Sequence, residues 1–489
     1  TYRMKATTRN FTDGEERSIP VLPNRMMVTE AMPMPIRGNE TRDFAFEKLI
    51  ESGESETMDH YRLTLEFASN PAWYAVQALP VISEVKYNNA VSVFSAMFAN
   101  SIAFHITSQN PEIKRVFDNW KSETPESFLS KLEKNQDLKQ ILLEQTPWVL
   151  NAKDERERKH RIAMLFDLNN MQNQLDNSIR LLEKFQKPNG GFCWMNEMRE
   201  SRYITQMIVQ GLGRLHHLGV LDAITDQRLN RMLTSAVRYL DREIHDDYEK
   251  LKERNPEKME ENHLSSTHIQ YLYARSFFSH IMINPSHETA WNYYKHQASV
   301  YWTDQNNYLQ GMIALALHRD GKEEAPALIL ASLRDRALHD DEMGMYWRGE
   351  QGYFWYRAPI ETQAMVIEVF DEVAADPESV EEMKIWLLRQ KQTQDWGSSR
   401  ATADAVYALL SRGSNLLADD QLVEIAVGGD EISPDEMGTV EAGTGYFQTA
   451  WDGNEIEPQM GNVTVTKPGD GIAWGAMYWQ YFEDLDKIT

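Results

Sequence analysis

The chain has 489 residues, 42% of them hydrophobic and 25% charged, which suits two or three soluble globular domains and no membrane class. Acidic residues outnumber basic ones by 74 to 50, and a formal charge of −24 argues against nucleic acid or an anionic membrane as partner, since both need a basic face. A lone cysteine, Cys193, excludes an intrachain disulfide and a multi-cysteine metal site, and no apolar run approaches the roughly 18 residues of a bilayer-crossing helix. The opening Thr1-Tyr2-Arg3-Met4-Lys5 has no apolar leader and reads as the start of an excised piece, with any signal or lipid anchor outside it.

Strand patterns come first. Met27-Val28-Thr29-Glu30-Ala31, Asp43-Phe44-Ala45-Phe46 and Tyr61 to Phe67 are predicted strands, and in the last of these Tyr61, Leu63, Leu65 and Phe67 alternate onto one face. Breakers at Gly38-Asn39 and Ser52-Gly53 separate them. The middle of the chain is helical and repeats, with helices expected near Ala90, Tyr203, Ser265, Asn307, Ile360 and Thr402. Several follow a loop carrying Gly and Trp and open on Thr or Gln in a small first turn, as in Gly190-Gly191-Phe192-Cys193-Trp194 before Tyr203-Ile204-Thr205-Gln206. Amphipathic helices such as Ser178 to Phe185 and Glu382 to Leu388 alternate with them, which is the pattern of stacked helical hairpins. A charged stretch over 106–161 fits the repeat poorly and reads as a helical insertion. Strands return at Leu422 to Val427, Gly445 to Thr449, Asn462 to Thr466 and Ala473 to Trp479, with a turn at Pro468-Gly469-Asp470-Gly471. Neither end has enough strands for an independent sheet, so the two are expected to share one β-sandwich.

Three parts of the chain carry a resemblance to a known family. Leu65 to Pro80, the inner-helix openings, and the closing run Trp474-Gly475-Ala476-Met477-Tyr478-Trp479-Gln480-Tyr481-Phe482 resemble the thioester-domain region of bacterial α2-macroglobulins. The resemblance implies a mainly α fold: an α/α toroid of six helical hairpins over 84–413, inserted into an antiparallel β-sandwich of CUB-like type formed by 1–83 and 414–489. In that family a Cys-x-Glu-Gln motif opens the first inner helix, and Cys and Gln three residues apart share a helix face and condense into a thioester. Alignment puts Asn89, Val91 and Ser92 at the Cys, Glu and Gln positions, so neither the thiol nor the acyl group is present and no thioester forms.

The family then implies a non-catalytic, extracytoplasmic (periplasmic or cell-surface) protein. Its role would be endopeptidase inhibition by non-covalent trapping, or envelope scaffolding. Its partners would be proteases and other macroglobulin-like domains of the same chain, with no cofactor and no metal. Asn88-Asn89 reads as a helix cap; the alternative, a relic pocket lined by Asn89 and Ser92, has nothing in the sequence to favour it. His268, in the first turn of an inner helix, is expected at the toroid mouth as a structural residue. His216-His217 and His245-Asp246-Asp247 lack metal-ligand spacing and read as solvated surface, while Cys193, between Phe192 and Trp194, reads as a small buried hydrophobe. The competing class is a carbohydrate- or terpenoid-active toroid enzyme, for which Asp340, Asp341, Glu342 and Glu350 beside Tyr346, Trp347 and Trp355 would supply paired acids on an aromatic platform.

Overall fold

The computed structural model describes residues 2–17, 24–55, 57–83, 85, 87–109, 168–220, 227–340, 343–349, 355–393, 396, 398–410, 421–432, 440–441, 443–469 and 471–487. Most of the expected insertion at 106–161 lies outside them. Its first residues belong to a helix that runs to Gln109.

β1 (Tyr2–Thr7) and β2 (Thr12–Arg17) make an exposed hairpin. β3 (Arg25–Arg37), β4 (Glu40–Ala45) and β5 (Asp59–Ala68) precede the helices, and β6 (Leu338–Asp340) and β7 (Gly344–Tyr346) pair among them. β8 (Glu424–Val427), β9 (Asp430–Glu431), β10 (Tyr446–Asp452), β11 (Asn462–Lys467) and β12 (Ile472–Asp484) follow. Two antiparallel sheets, in the orders β10-β5-β12-β3 and β4-β11-β8-β9, each take strands from both ends of the sequence. Leu63, Leu65, Phe67, Met477 and Trp479 of the first sheet share one core with Ile425, Val427, Val463 and Val465 of the second.

Three details depart from the sequence patterns. β3 continues through Pro33 and Pro35, because it is an edge strand paired only with β12 and proline's missing N–H costs no ladder bond on the open side. Tyr61 is exposed, with a T-shaped contact to Phe482, so the buried face of β5 begins at Leu63. The turn at Pro468 joins no hairpin: β11 and β12 lie in different sheets, and the chain crosses between them there.

Helices Trp73–Ser83, Ala90–Gln109, Leu168–Glu183, Arg202–His217, Gln227–Arg254, Ser266–Ser276, Glu288–Tyr301, Asn307–Arg319, Glu324–Asp335, Pro359–Glu372, Pro377–Thr393 and Ser399–Leu410 form the rest. Those beginning at Ala90, Arg202, Ser266, Asn307, Pro359 and Ser399 touch in that order, and the last returns to the first. A helix with neighbours on every side has no solvent face, and the Asn307 helix is buried without a break from Tyr308 to Leu317. The intervening helices keep a charged face; the Gln227 helix buries Leu229, Met232, Leu233 and Val237 together with Asp241, which pairs with Arg275, and exposes Arg231, Arg238 and Arg242. Ala68, Ile472 and Trp474 continue the helical core into the first sheet, and Arg37 on β3 grips both carboxylate oxygens of Glu382 on the Pro377 helix through Nε and Nη2.

Candidate functional site

Five of the inner helices begin on small polar caps, which take up N–H groups the first turn leaves unpaired, and the sixth follows Ala358 and opens on Pro359 instead. Asn89 Oδ1 accepts the Ser92 N–H (2.9 Å), Asn306 Oδ1 that of Leu309 (3.1 Å), and Ser398 Oγ that of Ala401 (3.0 Å). Ser201 and Ser265 do the same for Ile204 and His268. The Thr and Gln residues of the first turns anchor the loops before them: Phe192 N–H donates to Thr205 Oγ1 (2.8 Å), and Gln363 Nε2 donates to the Met345 carbonyl (2.8 Å). The repeated Gly/Trp-loop-then-Thr/Gln pattern is therefore a hydrogen-bonded unit.

A pocket of about 520 Å³ opens where the first turns of the Ala90, Arg202 and Ser399 helices meet. Asn89, Val91, Ser92 and Ser95 line it from the Ala90 helix, Ser201, Tyr203 and Ile204 from the Arg202 helix, and Ser399 from the third. Tyr87, Trp194, Met198 and Arg199 form its rim, and Tyr87 is 70% and Trp194 48% exposed. Two backbone N–H groups fix this wall: that of Ala90 donates to the Trp194 carbonyl (2.9 Å), and that of Tyr87 to the Ser92 side-chain Oγ (3.2 Å). Asn89, Val91 and Ser92 are thus gathered at one site. No sequence pattern flagged Tyr87, Met198 or Arg199, which come from loops; exposed large apolar residues beside a capped helix were the available signal.

His268 is not among the residues lining this pocket. Its Nδ1 accepts the Ser265 N–H (3.2 Å) in a capping box, which leaves the proton on Nε2, 3.2 Å from Asp247 Oδ2. Arg202 completes the cluster on the same carboxylate oxygen, and the imidazole stacks on Tyr294 at 4.0 Å between centroids. Burial holds the His268 pKa below the usual histidine range against the opposing hydrogen bond to Asp247. Burial pushes Asp247 up, but the hydrogen bonds from His268 and Arg202 outweigh it and hold this carboxyl at about 2. Asp247 is therefore a structural anion rather than the solvated surface expected for 245–247.

Inward from the first turns, charges alternate between the inner helices. Arg400 donates to Tyr308 Oη (2.7 Å) and Tyr203 Oη (3.1 Å); Arg214, 2% exposed, meets Asp404 and Glu368; Arg319 meets Glu368 (2.7 Å) and Glu372. Burial would discharge Glu368, yet Arg214 and Arg319 keep its pKa low. Glu361, beside them without such a pair, is pushed up by burial and then by Asp404. Arg214 and Arg319 thus tie the inner helices together through Glu368, Glu372 and Asp404, while among the described residues Asp404 Oδ2 and Tyr407 Oη are left buried without a hydrogen bond.

Of the acids considered for an enzyme, only Asp340 lies among the described residues. Asp341, Glu342 and Glu350 lie outside the described residues, Asp340 accepts the Met343 N–H, and Trp347 is buried with its indole N–H on the Leu333 carbonyl (3.0 Å). Among the described residues no group of three or more His, Cys, Asp or Glu is placed to hold a metal. Cys193 is buried and free, its thiol directed at the Phe185 carbonyl.

No known family profile and no curated protein matches the chain. Solved structures do. The structural neighbours are bacterial α2-macroglobulins. Native α2-macroglobulin from Escherichia coli, from domain MG7 to the C-terminus, is 13% identical with a TM-score of 0.45, covering 96% of this chain and 60% of that one. The Escherichia coli protein activated by porcine elastase gives 13%, a TM-score of 0.49, and coverage of 96% and 34%. Salmonella α2-macroglobulin reacted with methylamine gives 12%, 0.43, and coverage of 97% and 25%. The chain spans 60% or less of the length of each, and at these identities and scores no chemistry passes from them to this chain.

Proposed function

We propose that this chain is the thioester-domain region of a bacterial α2-macroglobulin-like protein that works without a thioester. The ring of capped helices is then the α/α toroid, and the sheets drawn from both ends are the flanking CUB-like β domain. Residues at the toroid mouth carry the reading: Asn89 is a cap, Val91 and Ser92 line an open pocket, and no sulfur or acyl donor stands among them. Cys193 does not substitute, being buried in a loop with Asn196 three residues on. With no acyl–sulfur bond to attack, capture of a protease by the whole protein is non-covalent, and the ring serves as a rigid scaffold for neighbouring macroglobulin-like domains in an extracytoplasmic compartment.

Incubation with methylamine and intact-mass measurement tests the chemistry. The expected result is no mass addition and one thiol titrated in the denatured protein with or without methylamine treatment; a methylamine-dependent mass shift overturns the reading. In the full-length protein, a protease held after gel filtration but released in SDS supports trapping, and no retention refutes it.

A further inference from the structure

We infer that the pocket at the mouth of the ring is a binding site for an apolar carboxylate, a ligand with an aromatic or branched aliphatic body and one anionic end. This stands on the pocket itself and does not need the protease-trapping reading. At about 520 Å³ it falls within the size range of small-molecule sites and holds a body of one or two aromatic rings. Its walls are apolar where a ligand body would lie, on Ile82, Val91, Ile204 and Trp194, and polar at separate points on Ser92, Ser201 and Ser399. Trp194 and Met198, each 48% exposed, leave apolar surface at the rim that a ligand would cover.

Charge selects the other end of the ligand. The protein carries 74 acidic residues, yet among the described residues none lines this pocket, and the charged residue at its rim is Arg199. Among the described residues no hydrogen bond or ion pair within 4 Å occupies the exposed Arg199 guanidinium; its charge reaches Glu200 only through space, and that carboxylate accepts a hydrogen bond from Asn189 (2.9 Å). A carboxylate on the ligand would make the charge-assisted pair that Arg199 lacks, with the capped first turns adding a weaker field of the same sign. Two sources share this chemistry, a free amphipathic acid and the carboxyl end of a peptide that finishes in an apolar residue.

Isothermal titration of the whole chain with 2-naphthylacetate and with its amide separates charge from apolar fit. The acid is expected to bind at least tenfold more tightly than the amide. Arg199→Gln should abolish that preference while the amide still binds, and Val91→Trp, which fills the pocket from a half-buried position in the first turn, should abolish both; circular dichroism checks that each variant is folded. A peptide ending in Leu-Phe, with free or amidated carboxyl, assigns the source: binding of the free peptide points to chain ends, and its failure beside a binding naphthylacetate points to free acids. Equal affinity for acid and amide, no binding of either, or an acid preference that survives Arg199→Gln overturns the assignment. None of these results depends on methylamine reactivity or protease retention, so the two readings fail separately.

Discussion

The carboxamide of Asn89 takes up a first-turn N–H that the Ala90 helix would otherwise leave unpaired beside an open pocket. Removing such a cap costs about 1 kcal/mol, because the donor loses its fixed partner and the helix frays from that end. Asn89→Ala should therefore lower the stability of the protein by about 1 kcal/mol in urea denaturation, whereas Asn89→Ser should restore most of it. An unchanged midpoint in Asn89→Ala would mean that the Ala90 N–H bond to the Trp194 carbonyl holds this turn unaided. The capping role was legible from residue type alone. The pocket was not, because its rim comes from Trp194, Met198 and Arg199, far downstream, and only tertiary packing brings that loop against the Ala90 helix.

Asp247 ties elements together. It sits on the Gln227 helix, receives Arg202 from the start of one inner helix and His268 from the start of the next, and His268 stacks on Tyr294 of the Glu288 helix. Its folded pKa, about 2, lies below the 3.8 of an unperturbed aspartate, so the unfolded chain binds the proton more tightly. The stability it contributes is present in full above the unfolded value and is lost as pH falls from near 3.8 toward 2. Urea midpoints of the native protein should fall across that window; Asp247→Asn should start lower at neutral pH and change less there. Parallel falls in both proteins would locate the acid sensitivity in other carboxylates. This node was hidden in the sequence, where His245-Asp246-Asp247 looks like solvated surface, since the partners lie on other helices. The helices themselves were plain, as their capped starts and buried first turns recur: observed beginnings at Ala90, Arg202, Ser266 and Asn307 fall on or beside the expected ones. β3 was only half legible, because Pro33 and Pro35 argue against a strand unless it is known to be an edge.

For the whole molecule, the decisive feature is where the chain enters and leaves the sandwich. β3 and β12 pair antiparallel along their full lengths, from Arg25 opposite Asp484 to Arg37 opposite Ile472, and Leu485 N–H donates to the Asn24 carbonyl (2.9 Å). Everything between these two residues is therefore a body attached at one point, and β5 has both neighbours, β10 and β12, from the distal part of the chain. Two consequences separate cleanly. Deleting residues 440–489 strips β5 of both partners and removes Ile472 and Trp474 from the helical core, so that fragment should fail to fold cooperatively. A circular permutant that joins Leu485 to Asn24 through a short Gly-rich linker, and opens at the exposed Gly321-Lys322 turn, breaks no strand pairing and no inner helix. It lacks the hairpin of β1 and β2, which is exposed along both strands. The permutant should melt within a few degrees of the parent and keep its circular dichroism spectrum, although its sheets now form from strands adjacent in sequence. A permutant that refolds only to a partly helical, aggregating state would show that the separation of β5 from β10 and β12 by the helical ring is needed to assemble the sandwich, and not only tolerated by it.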